Sequence, residues 1–336
     1  MKSISRILKI KWASVIKMSF ELGKRSGRNP LSVFLDFIKC YKTRGTSWFD
    51  YMLFGFHFNT DPVIRDSFAS EYKDNVYMNS KCNSPESLEI LMDKGLFNEV
   101  YKDFLGREVL DLRKASKEEF LDFINRHNEI IVKPAFESGG SGIEKLTSQE
   151  VKEQYNRLVE EGKFVLEEVL VQDPKMGLIN DSSVNTIRTC TCINDQGDIK
   201  VLYMVLRVGR QDTFLDNMSA GGFYTKLSWE GKITHPCYTS RDFGRAYTHH
   251  PDTGMEFVGF QVPQIEEVKD LAISLAKVNP EARYVGWDIA ITTKGPVVIE
   301  GNERPSVDLP QTYIHLDGKE GMRDEYEEAL SIKLPR

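Results

Sequence analysis

The stretch VGWDIAITTKGPVVIEGN, Val285 to Asn302, sets two apolar runs around Thr-Thr-Lys-Gly. A three-residue loop of Thr293, Lys294 and Gly295, ending in a glycine free to take positive φ, predicts a β-hairpin. That register places Asp288 directly opposite Glu300, with Cβ atoms about 5 Å apart. Asn302 lies two residues further on and shares their face. Two carboxylates so close repel each other unless positive charge sits between them. Hard oxygen ligands of this kind suit Mg²⁺, with phosphate oxygens completing an octahedron. The plainer explanation is a polar outward face on a surface hairpin, against which the flanks are strongly apolar on both faces. A two-residue Lys-Gly loop would instead shift the register by one and send the acids to opposite faces.

Upstream, IIVKPAFESGGSGIEKL, Ile130 to Leu146, delivers Lys133 from an apolar strand. Glu137 follows, then the loop Ser138, Gly139, Gly140, Ser141, Gly142. Such a loop offers backbone N–H groups without side-chain obstruction and can close over phosphates. It is not a Walker A motif, because no Gly-Lys-Ser/Thr follows Gly142, and it is not G-x-G-x-x-G. Alone, a Ser/Gly loop is most often a flexible turn. Lysine, loop and hairpin in this order are more specific.

The surrounding pattern is mixed α and β. The first eighty or so residues read as helical and aromatic. SPESLEILMDKGLFNEVYKDFLG reads as one helix stopped at Gly106. Ser116 with Glu119, and Thr147 with Glu150, form capping boxes that start two helices, the second running to about Gly162. KFVLEEVLV is a strand, SVNTIRTCTCIN and DIKVLYMVLRVGR are strands joined at Gly197, and VPQIEEVKDLAISLAKV is a helix.

These motifs together resemble the ATP-grasp superfamily: Lys94 in MDKGLF, Lys133 in VKPAFESGGSG, Glu167 and Glu168 in FVLEEVL, Asp288 in GWDIAIT, and Glu300-Gly301-Asn302 in VVIEGNERP. Within it, SVNTIRTCTC, LRVGRQDTFLDNMSAGGFY, HHPDTG and the N-terminal FLDFIKCYKTRGTSWFDYMLFGF resemble the sugar-transfer associated branch. The glycine between Glu300 and Asn302 departs from many members, where a small apolar residue is common. The resemblance implies an α+β fold in which two α+β lobes clasp ATP, with a helical N-terminal region. It divides the chain into residues 1–85, a lid lobe over 86–175 and a metal and substrate lobe over 176–330. It implies that Lys94, Lys133 and the glycine loop contact the nucleotide. Glu167, Glu168, Val169 and Leu170 would line the adenine and ribose pocket, and Asp288, Glu300 and Asn302 would hold Mg²⁺. For Glu167 and Glu168 the alternative is a solvated strand end. The implied chemistry is a carboxylate–amine ligation through an acylphosphate.

Negative charge builds up in such a reaction, so fixed cations must face it. Arg188, Arg207 and Arg304 are the candidates, with Arg304 preferred because it directly follows the metal set; a surface salt bridge is the alternative for each. Asn185, Asp216, Asn217, Gly221, Gly222 and His250 are candidate substrate residues, the two glycines because they permit close backbone approach. The His249-His250 pair is the candidate base, with a structural loop histidine as the preferred alternative.

Of 336 residues, 40% are hydrophobic and 28% charged, which fits a soluble globular protein, and the net charge of −6 argues against nucleic acid as partner. The charge is uneven. Up to Arg28 there are eight Lys or Arg and one acid, Glu21, a surplus of seven that leaves the remainder near −13. This basic start, with Ile7, Trp12, Ile16 and Phe20, reads as an amphipathic helix. It suits an anionic membrane surface, although packing on the body with a solvated basic face is the preferred reading. Lysines interrupt every apolar run, so no transmembrane span is expected. The five cysteines lack C-x-x-C or zinc spacing and fit core positions in a reducing, cytoplasmic setting.

Three functions compete. The first is an ATP- and Mg²⁺-dependent ligase joining an amino acid or similar acid to an amine of a sugar, amino acid or glycan precursor. The second is a phosphotransferase on a hydroxyl acceptor, and the third a nucleotide-sensing partner of polysaccharide assembly.

Overall fold

The structure is a computed structural model that describes residues 12–137, 139–216, 218–239, 244–317 and 320–335. Two helices open it, Trp12–Ser26 and Pro30–Arg44. Asn29 caps the second, its side chain accepting from Leu31 N, Pro30 fixes the first turn, and Gly45 ends it at φ 68°. Val15, Met18 and Leu22 of one helix and Val33, Phe37 and Cys40 of the other bury the shared side. Asp36 is held inside by Arg65, Arg28 and the Tyr51 hydroxyl. Burial raises its pKa, but Arg65 and its other partners outweigh that and leave it at about 2.

The helix expected over residues 84–106 is interrupted. Its first part ends at Met92, and Asp93 caps a new helix, Lys94–Val100, by accepting from Gly95 N and Leu96 N. Aspartate competes for nearby backbone donors, which favours a cap over a helix interior. Lys94 thereby stands at the first position of a helix. Both expected capping boxes are present, at Ser116–Glu119 and Thr147–Glu150. The second helix breaks at Gln154 and resumes as Tyr155–Glu161 before Gly162 at φ 57°.

A first sheet has the order β1 (Val109–Asp111), β4 (Phe164–Glu168), β2 (Glu129–Pro134), β3 (Glu144–Thr147), antiparallel throughout. The strand at 163–171 is shorter than its sequence suggests. Beyond Glu168 the chain leaves this sheet, and Gln172 bridges to Thr292 of the second. That sheet has seven strands in the order β11 (Gly295–Asn302), β10 (Tyr284–Thr292), β5 (Thr186–Ile193), β6 (Ile199–Val208), β7 (Phe223–Lys226), β8 (Cys237–Tyr238), β9 (Ala246–Tyr247).

Strand alternation gives the second sheet two different faces. Ile187, Met204, Leu206, Trp287 and Ile289 join a core with helix Ile265–Val278 and with Phe97 and Tyr101. On the other face, Cys190, Cys192, Tyr203 and Tyr284 pack with the N-terminal helices. All five cysteines are buried and free.

Candidate active site

Arg188 of β5 lies opposite Asp288 of β10, which lies opposite Glu300 of β11. All three belong to the sheet face that carries the N-terminal helices. The pairing of Asp288 with Glu300 is the one expected, but its cause differs. Only Thr293 and Lys294 form the turn, between the paired Thr292 and Gly295. The register lost there is recovered by a bulge in which Ile299 is the extra residue of β11.

Two guanidiniums hold Asp288. Arg188 donates Nε to Oδ1 at 2.5 Å and Nη2 to Oδ2 at 3.1 Å, while Arg207 donates Nη1 to Oδ2 at 2.7 Å. Burial pushes this carboxyl up, but Arg188 and Arg207 outweigh it and keep it well below the usual range. Among the described residues Glu300 has no such partner, and burial followed by the charge of Asp288 raises its pKa. Asn302 Nδ2 lies 3.4 Å from Asp288 Oδ2 and 3.5 Å from Glu300 Oε1. Half a turn of the amide would bring its oxygen to the same point. Two carboxylates and an amide oxygen fit a hard divalent cation that takes its remaining ligands from phosphate and water. Among the described residues no group of three or more His, Cys, Asp or Glu is placed to hold a metal, so ligand oxygens would have to complete the shell.

Arg207 also donates to Asp216 at 3.0 Å, and Asp216 accepts from the amide and hydroxyl of Thr186. Burial raises Asp216, and Arg207 opposes the shift.

The first sheet faces this row with its own charges. Lys133 Nζ lies 2.7 Å from Glu167 Oε2, and Arg107 Nε donates to the same oxygen at 2.8 Å. Glu167 is 3% exposed, which rules out a solvated strand end. Burial raises its pKa, but Arg107 and Lys133 win and hold it at about 2. Glu168 is half-buried and accepts from Glu108 N at 3.0 Å. Lys94 donates Nζ to the carbonyl of Glu137 in the glycine loop. Burial lowers its pKa, and Glu300 is the first charge opposing that shift. In the loop, Gly139, Gly140 and Gly142 take φ of 66°, 79° and 68°, so glycine is required there. Ser141 is exposed, and Ser138 lies outside the described residues.

Between the sheets is a cavity of about 610 Å³. Lys133, Glu167, Glu168, Val169, Leu170 and Gly140 line one side, and Asp288, Glu300, Arg207 and Asp216 the other. Ile131, Ile299, Leu178 and Phe214 give it an apolar lining. Such a space is of the size and mixed polarity of a small-molecule site.

Other expected residues are elsewhere. Arg304 is exposed and does not line the cavity: β11 ends at Asn302, so strand alternation no longer aims the side chain. Asn185 is buried but donates Nδ2 to Gln172 Oε1 and the carbonyls of Met176 and Asn180, which makes it a staple of its own loop. Gly221 and Gly222 lead into β7 and are outside the lining. His250 is fully buried. Nε2 meets the Gly209 carbonyl at 2.9 Å, and Nδ1 accepts from Asp252 N and Thr253 N, so it is the structural loop histidine. Asn217 lies outside the described residues. Arg107 and Thr186 carried no motif that would single them out.

The model of the sugar-transfer associated ATP-grasp family matches residues 73–325. No curated protein matches the chain. Similar solved structures include the ATP-grasp ligase PsnB with a minimal precursor, at 15% identity and TM-score 0.40 over 75% of this chain and 59% of that one. N5-carboxyaminoimidazole synthetase from Staphylococcus aureus with ADP gives 11% identity and TM-score 0.43, over 68% of this chain and 48% of that one. D-alanyl-alanine synthetase A from Vibrio cholerae gives 12% identity and TM-score 0.45, over 74% and 68%. The chain thus spans about half to three fifths of the first two structures.

Proposed function

The chain belongs to the sugar-transfer associated ATP-grasp family, and from that premise we propose that it is an ATP- and Mg²⁺-dependent carboxylate–amine ligase. The observation that carries this reading is the cavity between the two sheets, with Lys133 and Glu167 on one wall and Asp288 and Glu300 on the other. Its apolar lining suits a purine ring, and its lysines suit phosphates. Mg²⁺ held by Asp288, Glu300 and Asn302 would supply positive charge against the triphosphate.

The reaction runs in two steps. A substrate carboxylate oxygen bonds to the γ-phosphorus as the bond to ADP breaks, giving an acylphosphate. An amine nitrogen then bonds to the acyl carbon, loses a proton, and phosphate leaves. Lys133, in a buried strand, contributes a cation held in place by Glu167. Arg188 and Arg207 fix positive charge beside the carboxylates, where the developing anion needs it. The glycine loop excludes water by closing over the nucleotide. The family's association with sugar transfer supports an amine or acid carried on a sugar or glycan precursor.

The test is ADP and phosphate release from Mg-ATP with pooled amino acids as acids and amino sugars as amines, followed by mass spectrometry. Release that needs both partners, with a product lighter by one water than their sum, supports the ligase. A phosphorylated acceptor makes it a kinase. Nucleotide binding without turnover in any pool, together with unchanged biological activity of Glu300→Gln, sinks both enzymatic readings.

A further inference from the structure

The helical pair at the N-terminus shows an apolar surface that the catalytic reading does not use. Helix Trp12–Ser26 buries Val15, Met18 and Leu22, yet beside that stripe Ile16 is 49% and Phe20 62% exposed. Helix Pro30–Arg44 likewise exposes Leu31 at 64% and Leu35 at 58%. The two sets belong to one region, because the Trp12 ring lies 6.3 Å from Phe34. Single exposed apolar residues need no explanation, but a group of large ones on adjoining helices does.

Charge identifies the occupant. The outward charges of these helices include Lys17, Lys24, Arg25, Lys39 and Lys42, all exposed. Of the two acids in the pair, Glu21 is half-buried and Asp36 is enclosed by Arg65 and Arg28. The chain beyond Arg28 is net acidic while its start is basic. An anionic surface therefore attracts this end and repels the body, which fixes orientation as well as affinity. No helix of the described residues is long and apolar enough to cross a membrane, so the surface has to be met from one side.

We propose that the helical pair docks the protein on an anionic phospholipid bilayer, setting Ile16, Phe20, Leu31 and Leu35 among the headgroups while Lys24, Lys39 and Lys42 face lipid phosphates. Docking there would hold the cleft beside a lipid-borne substrate, but the proposal does not depend on the reaction catalysed.

The test is co-sedimentation of the full chain with vesicles of phosphatidylcholine, alone or with about a third phosphatidylglycerol. Expected is binding at least about tenfold stronger to the anionic vesicles, weakening as salt rises. Ile16→Ser with Phe20→Ser, and separately Lys24→Glu with Lys39→Glu, each lower it about tenfold. Both variants change exposed side chains and keep the wild-type melting temperature. Equal or absent binding to the two vesicle types overturns the proposal. So does wild-type binding by both variants. A dimer in sedimentation velocity that is lost in the Ile16 and Phe20 variant, with no vesicle binding, assigns the surface to a second copy instead.

Discussion

Arg107 and Glu167 tie the two sheets together. Arg107 Nε donates to Glu167 of the first sheet, while Nη1 donates to the Val298 carbonyl at 2.7 Å and Nη2 to the Ile299 carbonyl at 3.1 Å in the second. Ile299 is the bulge residue that sets Glu300 opposite Asp288. One buried side chain thus fixes both the closure of the cleft and the register of the proposed metal ligands.

Arg107→Met therefore leaves Glu167 with Lys133 alone and strips donors from two β11 carbonyls. Breaking a buried pair in this way costs about 3–5 kcal/mol. Urea denaturation reads the loss. Arg107→Lys should recover little of it, because one ammonium with three donors cannot serve Glu167 and the Leu105, Val298 and Ile299 carbonyls in the guanidinium's geometry.

Asp288 and Glu300 separate function from stability. Glu300 carries a carboxyl raised by burial and Asp288, so Glu300→Gln removes repulsion and keeps or raises the melting temperature. Asp288→Asn leaves Arg188 and Arg207 buried with less compensating charge and lowers stability by about 3 kcal/mol or more. Both variants lose the Mg²⁺-dependent part of ATP binding, measured by calorimetry with and without the metal. A large stability loss in Glu300→Gln would contradict this division.

Acidity acts in two windows. Glu167 is held at about 2, below its unfolded value, so its stabilising contribution is present above the unfolded pKa and lost as pH falls toward 2. Asp50 and Glu71 behave oppositely. Burial, then the charge of Asp308, raises them to about 7 and about 8, with Arg304 opposing at Glu71. Their contribution is complete below about pH 4 and is lost as pH rises through 7 and 8. Urea midpoints should fall from about pH 4 to about pH 8 and level off above it. Asp308→Asn, which removes the shared neighbour, should flatten that decline.

Gly301 lies between the two proposed metal ligands Glu300 and Asn302. A Cβ there would lie 2.7 Å from Leu91 Cδ2 and 3.0 Å from both Phe97 Cε2 and Trp287 Cζ3. Trp287 is fully buried, and its Nε1 donates to Thr191 Oγ1 at 2.8 Å. Its ring fills the space that a side chain at 301 would take. Gly301→Val should cost about 1–3 kcal/mol by overpacking and weaken Mg-ATP binding by shifting Glu300 and Asn302. Thermal unfolding and metal titration check the two effects.

What the sequence determined by itself is local. The capping boxes at Ser116 and Thr147, the strand carrying Lys133, the glycine loop and the Asp288–Glu300 hairpin all follow from turn chemistry and apolar period. Contacts between distant segments belong to the tertiary structure. Arg107 meets carbonyls some 190 residues away, and nothing around it announces that. Arg304 follows the proposed metal set in sequence but is exposed and does not line the cavity, because the strand ends at Asn302. Arg207 is far off in sequence, yet sheet pairing brings it to Asp288. Asn185 reads as a substrate residue yet staples its own loop, and His250 holds the loop position preferred for it, because a polar side chain's role depends on which carbonyls the fold brings to it. The hairpin shows both halves: alternation named its two acids, but a bulge decided the register that holds them together.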